Sequence, residues 1–149
     1  MTNQVDALLA QITTWVREQP NVLALALVGS YARGTARVDS DVDLVLVCET
    51  PSVLLDDLHW IHQFAEVVSA WHGDYGLVQS QHVQYQLDVE KMLLEVEFGI
   101  TSTAWTAVSP PDVATCHCVL DGMRALYDPV GRLHILESAC RILMTSDNL

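Results

Sequence analysis

The stretch that decides the fold of this chain is GSYARGTARVDSDVDL, residues 29–44. A glycine–serine turn opens it, and two aspartates one residue apart, Asp41 and Asp43, stand near its end. A turn of small residues lets backbone N–H groups approach phosphate oxygens closely. Carboxylates at positions i and i+2 of a strand lie on the same face and can share a hard divalent cation. The stretch therefore predicts a phosphate-binding turn beside a Mg²⁺ site, which suits chemistry on a nucleoside triphosphate.

Apolar runs flank this stretch on both sides, and both predict buried strands. Residues 22–28 are VLALALV, and residues 44–48 are LVLVC. A continuous apolar run of this length is typical of a strand that is buried on both faces. We therefore predict a strand over 22–28, a second strand over 41–48, and between them a turn that has space for one short helix.

Two further apolar patterns predict helices. The first runs from Val5 to Val16 at helical spacing, and Pro20 ends it. The second begins after Ser52, a residue that caps helices well, and continues to Val68. Its apolar positions are Leu54, Leu55, Leu58, Ile61, Phe64, Ala65 and Val68.

An alternation of apolar and polar residues predicts a β-hairpin in the second half of the chain. One arm contains Val83, Tyr85, Leu87 and Val89, and the other covers residues 94–100. A tight connection at residues 90–91 joins the two arms, and a weaker strand is predicted before them at 75–79.

The sequence after residue 110 predicts a helix, a strand and a second helix. A proline pair at 110–111 is followed by a short helix that ends at Gly122, and then by a strand over 123–127. Asp128 and Pro129 suit the N-cap and the first residue of a C-terminal helix. Its predicted buried stripe is Val130, Leu133, Leu136, Ala139, Ile142 and Leu143.

These elements predict an α/β (α+β) fold with a single small mixed β-sheet and helices packed against it. We expect the N-terminal helix and the 52–68 helix to pack on the sheet. The chain of 149 residues is predicted to form one domain over 1–149, with its motif core at about 22–100.

The strongly negative net charge indicates which kinds of molecule the protein can bind. The net charge is −12, with seven lysines and arginines and no basic stripe. A nucleic-acid substrate is therefore disfavoured, whereas an acidic surface suits a small cationic molecule or a basic protein. No apolar run approaches the length of a membrane span, and no signal peptide is evident. Four cysteines are typical of a reduced cytoplasmic protein.

A third carboxylate position comes from the second arm of the hairpin, LEVEF at residues 94–98. The apolar residues face one side of the strand, so Glu95 and Glu97 face the other. If this strand neighbours the strand of Asp41 and Asp43, three or four carboxylates converge. Like charges at close range raise one another's pKa values, and two Mg²⁺ ions would neutralise such a cluster.

The combination of Gly-Ser, Ser-Asp-x-Asp and a later carboxylate between apolar residues resembles the nucleotidyltransferase superfamily typified by DNA polymerase β. The form GSYARG at residues 29–34 resembles its small bacterial members, the minimal and the antibiotic nucleotidyltransferases. The resemblance covers residues 22–100, and three separated elements agree with it. It implies the superfamily's fold and its transfer of a nucleoside monophosphate from a nucleoside triphosphate.

The resemblance also implies roles for individual residues. Gly29 and Ser30 would bind the β- and γ-phosphates, and Ser40 would support the loop. Asp41 and Asp43 would bind both metal ions, and Glu97 would be the third ligand and a base toward the acceptor hydroxyl. Two alternatives stay open at this point: Glu95 takes the place of Glu97 as ligand, and Arg33 and Arg37 either contact phosphate or pair with nearby acidic residues.

Other chemistry-bearing residues carry weaker signals. Cys116 and Cys118 flank His117 without a second ligand pair at zinc spacing, so we expect an ordinary helix segment there. His59 and His62 suit a solvated helix face. The tryptophans at 60, 71 and 105 are expected in the core.

The sequence thus predicts a cytoplasmic, Mg²⁺-dependent nucleotidyltransferase that moves a nucleoside monophosphate, with ATP favoured as donor, to a hydroxyl and releases pyrophosphate. The acceptor is a small, cationic molecule or a protein. A homodimer is expected, because a chain this short leaves the cleft open on one side. The resemblance to the minimal members also implies an alternative, a non-catalytic or protein-modifying antitoxin that partners a helical toxin.

Overall fold

The computed structural model describes residues 3–146, apart from the side chains of residues 3, 89 and 146. The helices and strands of this part of the chain form a mixed α/β order. They are α1 (Asn3–Arg17), β1 (Val22–Val28), α2 (Gly29–Arg33), β2 (Val42–Cys48), α3 (Ser52–Leu55), β3 (Glu66–Tyr75), β4 (Val78–Gln86), β5 (Leu93–Thr101), α4 (Val113–Asp121), β6 (Met123–Tyr127) and α5 (Arg132–Ser146).

All of these strands belong to one mixed sheet with the order β3-β4-β5-β2-β1-β6. Strands β2 and β5 are parallel neighbours, and the other pairs are antiparallel. The predicted fold class, a mixed sheet with helices packed against it, is confirmed. The parallel pair lies at the centre of the sheet.

Each face of the sheet has its own core. On one face, α1 packs Val5 and Ile12 against the sheet, and the aromatic residues Trp60, Phe64 and Phe98 fill the space beside it. Trp60 meets Phe98 edge to face, with ring centroids 5.0 Å apart. On the other face, α4 and α5 cover the small residues of β1 together with Val45 and Val47 of β2. The sheet is therefore the middle layer between two sets of helices.

The predicted helix over residues 52–68 is wrong. Only α3 and a 3₁₀ turn at His59–Gln63 are helical, and β3 begins at Glu66. The carbonyl of Leu54 accepts the indole N–H of Trp60 at 2.9 Å, and the carbonyl of Ile61 accepts the hydroxyl of Tyr85 at 2.7 Å. The side-chain bonds occupy carbonyls that a continuous helix would need. The predicted strand at 75–79 in fact spans the turn between β3 and β4.

The C-terminal helix also begins later than predicted. The carboxylate of Asp128 accepts the backbone N–H of Leu133 at 3.2 Å and that of His134 at 3.3 Å, so it caps the helix from four residues before its start. Pro129 and the following residue form a turn instead of the first helical turn. Val130 and Ile142 are 65% and 69% exposed, so these two positions of the predicted stripe are wrong.

The prediction that all three tryptophans lie in the core is wrong for one of them. Trp60 and Trp105 are buried, whereas Trp71 lies on the edge strand β3 and is 45% exposed. In the described residues, no helix has the length and apolar character that would let it cross a membrane.

Phe98 joins the core on the α1 face, and its loss gives a direct test of that core. Phe98 is fully buried and contacts Trp60, Phe64 and Tyr85. We predict that Phe98→Ala lowers the free energy of unfolding by about 3–5 kcal/mol, measured by urea denaturation. The control Val38→Ala, at a position that is 86% exposed, should change it by less than about 0.5 kcal/mol. A loss below about 1 kcal/mol for Phe98→Ala would contradict this packing.

Candidate active site

The register of β2 against β5 brings the carboxylates together. Val42 pairs with Val96 and Asp43 pairs with Glu97 in this parallel ladder. Both valines are fully buried on the α1 face. Because side chains alternate along a strand, the two carboxylates point to the opposite face, side by side.

Two more carboxylates complete a group that we call the carboxylate cluster: Asp41, Asp43, Glu95 and Glu97. The side chains of Asp43 and Glu97 are in hydrogen-bonding contact, as are those of Asp41 and Glu95. Asp41 precedes β2, and Glu95 lies two residues before Glu97 on β5. The structure thus brings all four together, and it gives each aspartate one glutamate as its neighbour.

Proximity and burial change the acidity of the cluster. Burial raises the pKa of Asp43 to about 7, with further contributions from the contact with Glu97 and from the charges of Glu97, Asp41 and Glu95. The contact with Asp41, followed by burial, raises the pKa of Glu95 to about 7. Near neutral pH the cluster therefore holds protons that a cation would replace.

The donor chemistry of the cluster fits a hard divalent cation, because it consists of carboxylate oxygens alone. Among residues 3–146, no three His, Cys, Asp or Glu side chains already surround a common metal position. The carboxyl groups are instead paired with one another through hydrogen bonds. A bound cation would take over the neutralising role of those shared protons.

The turn after β1 is built against the cluster. Gly29 has φ +74°, and a Cβ placed on it would collide with Oδ2 of Asp43. Glycine is the residue that accepts this conformation and this close approach of backbone to carboxylate. Ser30 follows in the short helix α2, and its carbonyl accepts N–H groups from Gly34 and, at 3.0 Å, Thr35. The glycine–serine turn and Asp43 therefore adjoin each other.

The loop that leads into β2 has an internal hydrogen bond. The hydroxyl of Ser40 accepts the backbone N–H of Arg37 at 2.7 Å, and the N–H of Ser40 donates to the carbonyl of Arg37 at 3.1 Å. Ser40 thus holds the loop immediately before Asp41.

The two arginines of this segment are placed differently. Arg33 forms an ion pair with Asp121 at the end of α4, with Nη1 and Oδ2 2.7 Å apart. This pairing is with a distant acidic residue, not with the neighbouring Asp39. Arg37 is exposed, and within residues 3–146 it forms no ion pair with a carboxylate.

One residue of the site was missed by sequence reasoning. His82 on β4 pairs with Glu97 across the ladder, and its Nε2 lies 3.5 Å from Oε1 of Glu97. The ring stacks on Trp71 with centroids 5.3 Å apart and an angle of 3°. The available signal was the alternation around Val83 and Tyr85, which places His82 on the same face as the carboxylates.

The other candidate residues lie outside the cluster. Cys116 is buried between α4 and α5, and His117 is exposed. His59 and His62 are exposed on the 3₁₀ turn, with ring centroids 6.3 Å apart. The structure brings none of these four residues into contact with the carboxylate cluster.

The comparison with known proteins agrees with this geometry. A family model described as a nucleotidyltransferase domain matches residues 9–96, more than half of the chain. The matched range contains the glycine–serine turn, both aspartates and Glu95, and it ends one residue before Glu97. No curated protein matches the chain.

Two glycines with nearly the same positive φ allow the contact between turn and carboxylate to be measured. Gly29 and Gly34 have φ +74° and +75°, but a Cβ at Gly34 would have no neighbour within 4 Å. We predict that Gly34→Ala costs about 1–2 kcal/mol of stability, the cost of a left-handed alanine. Gly29→Ala should cost at least about 1 kcal/mol more, because Asp43 must move. Equal losses in chemical denaturation would show that Gly29 and Asp43 are not in close contact.

The raised pKa values predict how stability depends on pH without metal. Unfolded Asp43 loses its proton near its ordinary value of 3.8, whereas folded Asp43 keeps it until about pH 7. The folded state therefore binds more protons in this window, and stability falls as the pH rises through it. Thermal unfolding in EDTA should show Tm decreasing from pH 5 to pH 8, by on the order of 5 °C.

Asp43→Asn is the control for this pH dependence, because it removes the titrating group. The decrease in Tm should be smaller in the variant than in the wild type, and Mg²⁺ should raise Tm at pH 8 only in the wild type. A wild-type Tm that rises from pH 5 to pH 8 would contradict the raised pKa of Asp43.

Proposed function

Because the chain belongs to the nucleotidyltransferase domain family, we propose that it moves a nucleoside monophosphate from a nucleoside triphosphate, ATP in the first instance, to an acceptor hydroxyl and releases pyrophosphate. The acceptor is a small molecule or a protein side chain. One observation supports this above the others: Asp43 and Glu97 face each other on adjacent parallel strands, and the glycine–serine turn lies against Asp43.

Asp41, Asp43 and Glu97 would hold Mg²⁺, with two ions as the proposed number. Bound there, the metal would neutralise the cluster and the triphosphate and would lower the pKa of the acceptor hydroxyl. Glu97 is preferred to Glu95 as the third ligand, because it lies directly opposite Asp43 in the ladder. Contact between Glu95 and Asp41 keeps Glu95 at the edge of the same cluster.

The chain's own groups account for the remaining parts of the reaction. Gly29 and Ser30 would bind the β- and γ-phosphates. The acceptor oxygen forms a bond to the α-phosphorus, the bond from that phosphorus to the β-phosphate oxygen breaks, and pyrophosphate leaves. Glu97 takes the proton from the acceptor hydroxyl, and His82 beside it holds the Glu97 carboxylate in place. Catalysis by this site would consist of positioning and charge stabilisation.

Arg33 and Arg37 are proposed phosphate contacts of unequal kind. Arg37 is exposed, and within residues 3–146 it forms no ion pair with a carboxylate. It therefore has no such partner to give up when it contacts a phosphate. Arg33 is already paired with Asp121, so it must exchange that partner for a phosphate or stay as a link between α2 and α4.

Three further proposals accompany this function. The presence of all four carboxylates favours turnover over the non-catalytic antitoxin alternative. Buried free thiols at Cys48, Cys116 and Cys140 support a reduced, cytoplasmic setting. A cleft beside the cluster that is open to solvent supports a homodimer in which a second copy covers it.

A labelling experiment tests the proposed transfer. The protein is incubated with Mg²⁺ and α-labelled nucleoside triphosphates against a panel of hydroxyl compounds and a cell extract, and the labelled product is identified. Asp43→Asn should lower the rate at least about 100-fold. Glu97→Gln should have an effect of similar size, whereas Glu95→Gln should stay within about tenfold of the wild type.

Each outcome of this experiment decides one statement. Undiminished transfer by Asp43→Asn would overturn the proposed site. A larger loss from Glu95→Gln than from Glu97→Gln would assign the third ligand to Glu95. No labelled product, with ATP and Mg²⁺ bound, would favour the non-catalytic alternative.

A further inference from the structure

A cleft of about 600 Å³ opens directly on the carboxylate cluster. Asp43 and Glu97 line one end of it, and Trp105 lies in its wall. Its floor is the sheet at Val45 and Gly99, and the turn between β3 and β4 forms one side. Helix α4 forms the opposite side. The volume lies within the range of small-molecule sites.

The lining of the cleft is apolar except at a few points. Seven of its sixteen lining residues are valine, leucine, alanine or tryptophan, and most of the exposed surface of the lining is apolar. Among residues 3–146 the lining contains no lysine or arginine. Its charged groups are the carboxylates Asp43 and Glu97 at one end and Asp112 at the start of α4. An anionic ligand would meet only like charges here, so the cleft suits a neutral or cationic one.

Few polar groups in this lining are free to bind a ligand. The hydroxyl of Thr115 already donates to Asp112 at 3.0 Å. The hydroxyl of Tyr75 lies 3.3 Å from Nε2 of His82, and Ser80 is only 2% exposed. A ligand with many hydroxyl groups would therefore bury several of them without partners, which is unfavourable. The strong hydrogen-bond acceptors at the cluster end are the carboxylates of Asp43 and Glu97.

We propose that this cleft binds the acceptor, and that the acceptor carries its reacting hydroxyl on an apolar aliphatic or aromatic body. The apolar body occupies the space between Leu77 and Trp105, and the hydroxyl points to Glu97. That the ligand is the acceptor rests on the proposed function. That the cleft binds such a ligand does not depend on it. A polyhydroxylated polycation is accordingly a poor ligand for the cleft.

The thiol of Cys118 reports the same environment from the α4 side. Cys118 lines the cleft, and burial, with the charges of Asp43, Asp121 and Glu97, raises its pKa to about 11.

The binding experiment uses 3-phenylpropan-1-ol as the probe, without nucleotide or metal. Amide chemical shifts of ¹⁵N-labelled protein should change at Leu77, Gly99 and Cys118 with a millimolar dissociation constant. 3-Phenylpropionate has the same body with a carboxylate in place of the carbinol, and it should bind at least tenfold more weakly. The polycationic polyol kanamycin should leave these amides unshifted at the same concentration.

A pair of matched variants locates the binding. Leu77 lines the cleft and is 43% exposed, whereas Val68 on β3 is 49% exposed and lies outside it. Leu77→Asp should weaken binding of 3-phenylpropan-1-ol at least tenfold, and Val68→Asp should leave it unchanged. Both variants add one negative charge at an exposed position, so the comparison isolates the cleft.

The inference is overturned if 3-phenylpropan-1-ol shifts no cleft amide, if kanamycin binds there more tightly, or if Val68→Asp weakens binding as much as Leu77→Asp. Failure of the proposed function gives a different result. In that case the alcohol binds in the cleft, but addition of Mg²⁺ and labelled ATP transfers no label to any alcohol.

Discussion

The site depends on the register of β2 against β5. In this register Val42 and Val96 are buried on the α1 face, and Asp43 and Glu97 are therefore side by side on the other face. A slip of one residue would turn the valines toward the cluster and the carboxylates into the core. Burial of the valines in the apolar core thus determines where the acidic chemistry takes place.

The electrostatic consequence of this register is a group of four carboxylates in a chain of net charge −12. Such a group is unfavourable when it is fully ionised, and the pKa values of Asp43 and Glu95 are raised, so that without a cation retained protons relieve the repulsion. The turn at Gly29 adds to the constraint, because its backbone closely approaches Asp43. The site therefore combines crowded negative charge with a glycine turn, and in the proposed function a divalent cation would bind between the carboxylates and the phosphates.

The sequence was most informative where a pattern had one interpretation. Alternation in 94–100 and the apolar run at 22–28 predicted β5 and β1. Convergence of the carboxylates was expected only if their two strands are neighbours, and the pairing of β2 with β5 meets that condition. The 52–68 segment failed because Leu54, Ile61 and Phe64 are all buried at spacings that a helix also produces. Their burial was predicted correctly, but the backbone that achieves it was not.

Contacts between distant parts of the chain could not be predicted from local patterns. The bond from Tyr85 to Ile61, the pairing of His82 with Glu97 and the ion pair of Arg33 with Asp121 each require the tertiary fold. The strand β3 was missed with them, and so were the stacking of Trp71 on His82 and the side of the cleft that the β3–β4 turn supplies. Residues that line the cleft beside the carboxylate cluster therefore became visible only in the structure.

The central claim is that the carboxylate cluster holds the metal that activates a nucleoside triphosphate at the glycine–serine turn. A crystal structure with Mg²⁺ and a non-hydrolysable ATP analogue tests it most directly. The account predicts metal density on the carboxylates of Asp41, Asp43 and Glu97, with the β- and γ-phosphates at Gly29 and Ser30. A nucleotide bound elsewhere, or bound at the turn with no metal on these carboxylates, would contradict it.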